Sequence, residues 1–193
     1  GNILGAEQSG FMAAVGFELY SRLLAEAVEE RKAQHEHRAP ILVAPQAVVD
    51  LPLEAHLPDD YVADEAQKLE LYRRLARART PGDLAAFRQE VIDRFGPMPP
   101  PVLRLTEVAE LRLAAEAAGI ASISREEGLL VVRFGAGISR ESAMRLVTPA
   151  ALPGVRGSDL SFMSNQVRIR LPKDPLKGWQ LTQAVVARLS AAA

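Results

Sequence analysis

The stretch Asp93-Arg94-Phe95-Gly96-Pro97-Met98-Pro99 separates two predicted helices and organises the chain around it. Gly96 ends the first helix, because glycine readily adopts the backbone conformations found just past a helix terminus. Pro97 forbids continuation, since proline lacks the amide hydrogen and its ring clashes with the preceding turn. The prolines at 99–101 suit the start of a second helix. We therefore expect a sharp turn between a helix that ends at Phe95 and one that runs over residues 102–118.

The helix before this turn begins at Thr80-Pro81-Gly82-Asp83, with threonine as the N-cap and proline in the first helical position. Its apolar side chains recur at helical spacing, which predicts one buried face made of Leu84, Phe87, Val91 and Phe95. Glu90 and Asp93 fall on the opposite side, three residues apart and therefore neighbours.

The acidic pair Glu90 and Asp93 allows three interpretations. A catalytic acid–base pair needs a sheltered environment that separates the two pKa values, and this pair is predicted to face away from the core. An acidic docking surface fits the position better than catalysis does. The residues by themselves favour a solvated face over both.

A second helix is predicted from Asp64 to about Arg79, with Gln67 at the spacing of a capping box. Leu71, Tyr72 and Leu75 belong to its buried side. The remainder carries a basic strip, which consists of Lys68, Arg73, Arg74, Arg77 and Arg79. Such a strip can contact phosphate, with Arg73, Arg74 and Arg77 as candidates. A solvated face is favoured, because no aromatic residue is interleaved for base stacking and the helix also carries Glu65 and Glu70.

The second half of the chain predicts two hairpins among helices. Residues 120–124 and 129–134 flank a Glu-Glu-Gly turn, and residues 160–163 and 167–171 flank Ser164-Asn165. Short helices are expected from Ser139 and from Pro175. Arg168 and Arg170 alternate with inward apolar residues and are further candidates for phosphate contact. Residues 48–57 predict one or two short strands broken at Pro52.

These elements predict an α+β fold, a small antiparallel sheet of hairpins packed with several helices and preceded by a long connecting helix. That helix spans residues 11–33, where apolar residues recur every fourth position. A proline-bounded linker follows, so we expect one segment over residues 1–45 and a carboxy-terminal domain over residues 46–193.

His35, His37 and His56 could suggest zinc, but their spacing and surroundings favour solvated side chains and no metal site.

The composition and the motifs absent from the sequence exclude several classes of protein. The formal net charge is -1, from 23 basic and 24 acidic side chains, so any nucleic-acid contact must be local. There is no cysteine, which fits a cytoplasmic protein, and no apolar run long enough to span a membrane. No phosphate-binding, dinucleotide-binding or metalloprotease motif occurs, so we expect no catalytic residue, no bound cofactor and no ATP hydrolysis by this chain itself.

Two motifs together resemble one family. Gly1-Asn2-Ile3-Leu4-Gly5-Ala6-Glu7-Gln8-Ser9-Gly10 resembles the end of a translocation motif, and the absence of an initiator methionine favours a segment of a longer chain. The second motif is Arg94-Phe95-Gly96-Pro97-Met98-Pro99 with the upstream Tyr61 and the run Leu69-Glu70-Leu71-Tyr72-Arg73-Arg74-Leu75. Both are similar to the carboxy-terminal region of transcription-repair coupling factors.

The resemblance implies a role for the parent protein. Members of this family are ATP- and magnesium-dependent translocases on double-stranded DNA that displace stalled RNA polymerase and recruit the excinuclease subunit UvrA. It implies that Gln8 couples ATP hydrolysis to movement. It further implies that Glu90 and Asp93 dock on an amino-terminal repair-recruiting domain of the same chain, which makes this domain an autoinhibitory clamp.

Two alternatives stay open. A nucleic-acid-binding accessory domain would use the basic strip or the cluster around Arg168 and Arg170. A free-standing protein-interaction adaptor would make the resemblance around Gln8 coincidental.

Overall fold

The computed structural model describes residue 31, residues 33–37 and residues 47–191. The chain divides into two compact units. The first contains Pro52–Glu110 with residues 31 and 33–37, and the second contains residues 47–51 and 111–191. Most of the predicted connecting helix, and the predicted boundary between residues 45 and 46, lie outside the described residues; residues 31 and 33 are helical.

The first unit is helical. It holds α1 (Glu65–Arg77), α2 (Pro81–Phe95) and the first part of α3 (Pro100–Ala118), which continues into the second unit. Thr80 and Asp83 form the capping box that starts α2, with the Asp83 amide donating to Thr80 Oγ1 at 3.1 Å. Leu84, Phe87 and Val91 are buried as predicted, because they recur on one face of α2.

One local prediction in the first unit is wrong. Asp64 caps α1, but Gln67 does not close a capping box with it; its side-chain oxygen instead accepts a hydrogen bond from Arg94 at 3.3 Å. Of the one or two short strands predicted over residues 48–57, one forms, Val48–Asp50, and residues 53–57 are not a strand. The amide of Leu57 donates to the hydroxyl of Tyr72 at 2.9 Å, so this buried donor is satisfied without a sheet.

The second unit is built on a five-stranded sheet in the order β1-β2-β3-β5-β4. The strands are β1 (Val48–Asp50), β2 (Ile120–Glu126), β3 (Leu129–Phe134), β4 (Leu160–Phe162) and β5 (Gln166–Arg170). Both predicted hairpins are present and antiparallel. The turn between β2 and β3 places Glu127 at φ 49° and Gly128 at φ 79°, the geometry that matches the twist of a tight hairpin.

The sheet is mixed, because β1 joins β2 in parallel, with Val49 opposite Ile123. The remaining strands are the predicted antiparallel hairpins, and the whole is the predicted α+β fold. One face of the sheet carries the fully buried side chains Ile123, Leu130, Val132, Val167 and Ile169. Two helices complete the unit, α4 (Arg140–Leu146), which Ser139 caps, and α5 (Pro175–Ser190), which buries Trp179.

Among the described residues, no helix combines the length and the apolar character needed to cross a bilayer.

Candidate docking surface

The two acidic residues singled out in the sequence lie on α2 in different surroundings. Glu90 is half-buried, with 32% of its side chain exposed, and it is held by two arginines. Arg74 of α1 donates to Oε2, and Arg94 donates to Oε1 at 2.9 Å. Glu90 therefore joins α1 to the end of α2, and its orientation is set before any partner arrives.

The pKa of Glu90 is lowered, first by the hydrogen bond from Arg74 and then by that from Arg94, while desolvation opposes the shift. A depressed folded-state pKa stabilises the fold above the unfolded-state pKa of about 4.3, and that stabilisation is lost as pH falls through the folded-state value. The free energy of unfolding of Glu90→Gln should therefore lie below that of the wild type at pH 7, and the gap should close as the pH falls through the lowered pKa of Glu90.

Urea denaturation at several pH values measures this gap. Glu54→Gln is the matched control, since it makes the same substitution at an exposed glutamate away from α2. A gap that stays constant across the pH range would show that the ion pairs of Glu90 do not contribute to stability.

Asp93 is exposed, and among the described residues its carboxylate has one hydrogen-bond partner. Oδ1 accepts a hydrogen bond from Gln89 Nε2 at 2.8 Å. Ile92, one position before it in the chain, has 40% of its surface exposed. This end of α2 therefore offers a partner both an accessible carboxylate and an accessible apolar side chain.

The turn after α2 is braced by Tyr61. Its hydroxyl donates to the carbonyl oxygen of Gly96 at 2.7 Å, and its ring lies 5.9 Å from that of Phe95. The guanidinium of Arg94 lies 4.9 Å above the Phe95 ring, within the range of a cation–π interaction. The end of α2 that carries Asp93 is thus held by contacts on both sides of the turn.

The predicted basic strip of α1 is not a uniform solvated face. Lys68 is buried and forms an ion pair with Asp59, so its prediction as a strip residue is wrong. The reason is tertiary, since burial of the lysine stem is compensated by a carboxylate that the loop before α1 supplies. Arg74 is directed to Glu90. Arg73 is half-buried and Arg77 exposed.

The second group of candidate phosphate contacts lies on β5. Arg168 is half-buried, and Arg170 is exposed with its Nε 3.6 Å from Asp159 Oδ1. The charge of Arg168 helps to lower the pKa of Glu126, although the hydrogen bond from Arg133 is the larger cause. A phosphate would compete with these carboxylates, so the role of Arg168 and Arg170 stays a prediction.

The remaining candidate positions in the sequence are Gln8 and three histidines. Gln8 lies outside the described residues. His35 and His37 are exposed and His56 is half-buried. Within the part of the chain that the structure describes, no three histidine, cysteine or acidic side chains are grouped as metal ligands.

Sequence reasoning finds Glu90 and Asp93 but misses the residues that orient them. The charge pattern places Arg74 on a solvated strip. Tyr61 belongs to the second motif of the family resemblance, and that position does not reveal a bond across 35 positions to Gly96. Alternation and helical spacing report which face a residue occupies, and they do not report its partner on another element.

Comparison with known proteins places this surface in a family context. Residues 51–144 match a family model described as the TRCF domain. The chain is 45% identical over 130 residues to the transcription-repair-coupling factor of Mycobacterium bovis, covering 64% of this chain and 10% of that protein. It is 32% identical over 173 residues to that of Staphylococcus aureus USA300, covering 90% of this chain and 15% of the relative.

The fold also resembles a solved structure. The crystal structure of the C-terminal domain of transcription-repair coupling factor superposes with a TM-score of 0.59 at 17% identity, covering 76% of this chain and 93% of that one. That likeness concerns the fold. The chain spans 10% to 15% of the length of the curated relatives above.

Proposed function

Because the chain belongs to the transcription-repair-coupling factor family and corresponds to its carboxy-terminal region, we propose that it is the autoinhibitory clamp of a DNA translocase. The parent uses ATP and magnesium to move on double-stranded DNA, releases stalled RNA polymerase and couples transcription to nucleotide-excision repair. In this proposal the present domain covers the surface of an amino-terminal domain that recruits the excinuclease subunit UvrA. It opens when polymerase is engaged.

The observation that carries the proposal is the arrangement of acids at the end of α2. Asp93 is exposed beside Ile92, while Glu90 is held by Arg74 and Arg94. An ionised carboxylate has about four acceptor sites, so a basic partner can add hydrogen bonds to Asp93 without first breaking an internal ion pair. Asp93 is therefore the direct contact, and Glu90 mainly positions the surface.

This division of roles suits a contact that must open. A clamp operating by population shift needs a coupling free energy of about 1–3 kcal/mol. A few charge-assisted hydrogen bonds around one apolar residue reach that range. A large apolar interface would favour permanent closure instead.

The test is a titration of the 193-residue chain against the isolated amino-terminal repair-recruiting region of the same protein. Asp93→Lys is expected to weaken binding about tenfold, because it replaces an attraction to basic partner residues with repulsion. Glu54→Lys is the control; this exposed acid makes the same charge change away from α2. UvrA should compete with the wild-type chain for the amino-terminal region.

Glu90→Lys separates positioning from contact. It should weaken binding and also lower the thermal midpoint, since a third cation would lie beside Arg74 and Arg94. Absence of binding, or equal loss in Asp93→Lys and Glu54→Lys, would contradict the clamp. Binding of duplex DNA with a steep salt dependence would then favour a nucleic-acid-binding role.

A further inference from the structure

Arg73 and Arg77 of α1 differ in their ion pairing from other arginines of the first unit. Arg74, Arg88, Arg94 and Arg104 each form an ion pair with a glutamate. Among the described residues, no carboxylate lies within ion-pair distance of Arg73 or Arg77. Neither guanidinium is thus neutralised by an acid of the described chain, and both can accept an anionic group from outside it.

Arg73 also carries an unmet hydrogen-bonding requirement. Its Nε is buried and has no acceptor within reach in the described chain. A desolvated donor without an acceptor costs free energy. A ligand that draws the guanidinium outward allows Nε and a terminal nitrogen to donate together, in the bidentate geometry that oxyanions accept.

The spacing of the two arginines restricts which ligands can contact both side chains. They are four positions apart on one helix, which places their side chains on the same row one turn apart. Glu70 is exposed three residues before Arg73 and continues this row with a negative charge. A nucleic-acid backbone following the row would meet that repulsion, whereas a protein can present a basic residue to Glu70.

The geometry points to Arg73 and Arg77 as a cationic docking site for an acidic segment of a protein partner, with carboxylates spaced by about one helical turn. The charges of this row determine which partner fits, because the row presents two positive groups and one negative group at its end. The site uses α1 residues that the clamp proposal does not use, so either proposal can fail without the other.

Fluorescence anisotropy tests the site with a labelled alanine-based peptide that carries two glutamates four positions apart and a lysine one turn beyond them, to match Glu70. The wild-type chain should bind it saturably at low salt, and Arg73→Gln with Arg77→Gln together should weaken binding about tenfold. The same peptide with glutamine in place of glutamate should not bind. Arg145→Gln is the matched control, an exposed arginine on α4, and it should remain within about twofold of wild type.

A second measurement does not depend on the variants. In the wild-type chain, the Nε–Hε resonance of Arg73 should shift on peptide addition, because Nε gains an acceptor. No saturable shift, or equal weakening by Arg145→Gln, would overturn the site. Tighter binding of a DNA duplex of about 12 base pairs than of the peptide, lost with Arg73 and Arg77, would assign it to phosphate and overturn the protein partner.

Discussion

Replacing Arg112 with alanine is expected to lower the free energy of unfolding of the second unit by about 3 kcal/mol. Arg112 lies in α3 with 0% of its surface exposed, and its Nη1 donates to Glu116 Oε1 at 3.0 Å. Truncation removes a charge-assisted hydrogen bond and leaves a cavity in close-packed surroundings, so two costs combine.

The contrast with Arg112→Met distinguishes packing from charge. Methionine fills most of the volume without burying a charge, and well-packed apolar replacements of buried ion pairs are often close to neutral. We expect Arg112→Met to retain most of the stability that Arg112→Ala loses. Equal losses in both variants would show that the charge itself is required.

Urea denaturation followed by tryptophan fluorescence measures the effect. Trp179 is the single tryptophan of the chain and is buried in the second unit, so its emission reports unfolding there. The thermal midpoint of the second unit in Arg112→Ala should fall by roughly 12–24 °C. Leu103→Ala, an exposed position on the same helix, is the control and should change stability by less than about 0.5 kcal/mol.

Replacing Gly96 with alanine is expected to destabilise the first unit by about 2 kcal/mol. Gly96 has φ 86° and ψ -169°, a region that is essentially restricted to glycine. An added Cβ would meet no atom within 4 Å, so the cost arises from the backbone conformation and not from a clash. Relaxation of the strain would disturb the bonds from Tyr61 to the Gly96 carbonyl and from the Gly96 amide to Ile92.

Far-UV circular dichroism during urea denaturation measures this loss. Gly157→Ala is the matched control, because its Cβ also meets open space and its φ lies outside the left-handed region. Comparable losses in both variants would show that the conformation of Gly96 is not specially required. Gly96→Ala should also weaken docking of the amino-terminal region, since the turn holds the end of α2 that carries Asp93.

Local chemistry made much of the first unit predictable. Thr80 and Asp83 start α2, and Gly96 with Pro97 ends it; each acts on its own neighbours through capping or through loss of an amide hydrogen. The same holds for the hairpin around Glu127 and Gly128. Such signals require no knowledge of distant residues, so they can be read from the chain directly.

The candidate site was predictable only in part. The spacing of Glu90 and Asp93 places both on the solvent side of α2, and the structure agrees for Asp93. Glu90 is instead half-buried against Arg74, which is 16 positions earlier in the chain. Helical periodicity contains no information about which helix lies alongside, so the unequal surroundings of the two acids could not be inferred.

The amino-acid sequence by itself determined the α+β class, the ends of α2, both hairpins and the family resemblance, because each depends on residues close together or on motifs of a few positions. Only the tertiary structure decided that β1 joins β2 in parallel, that Lys68 is buried against Asp59, and that no carboxylate of the described chain pairs with Arg73 or Arg77. These outcomes depend on which distant elements meet. The packing of the folded chain determines which elements contact each other, because burial and charge compensation involve residues of different elements.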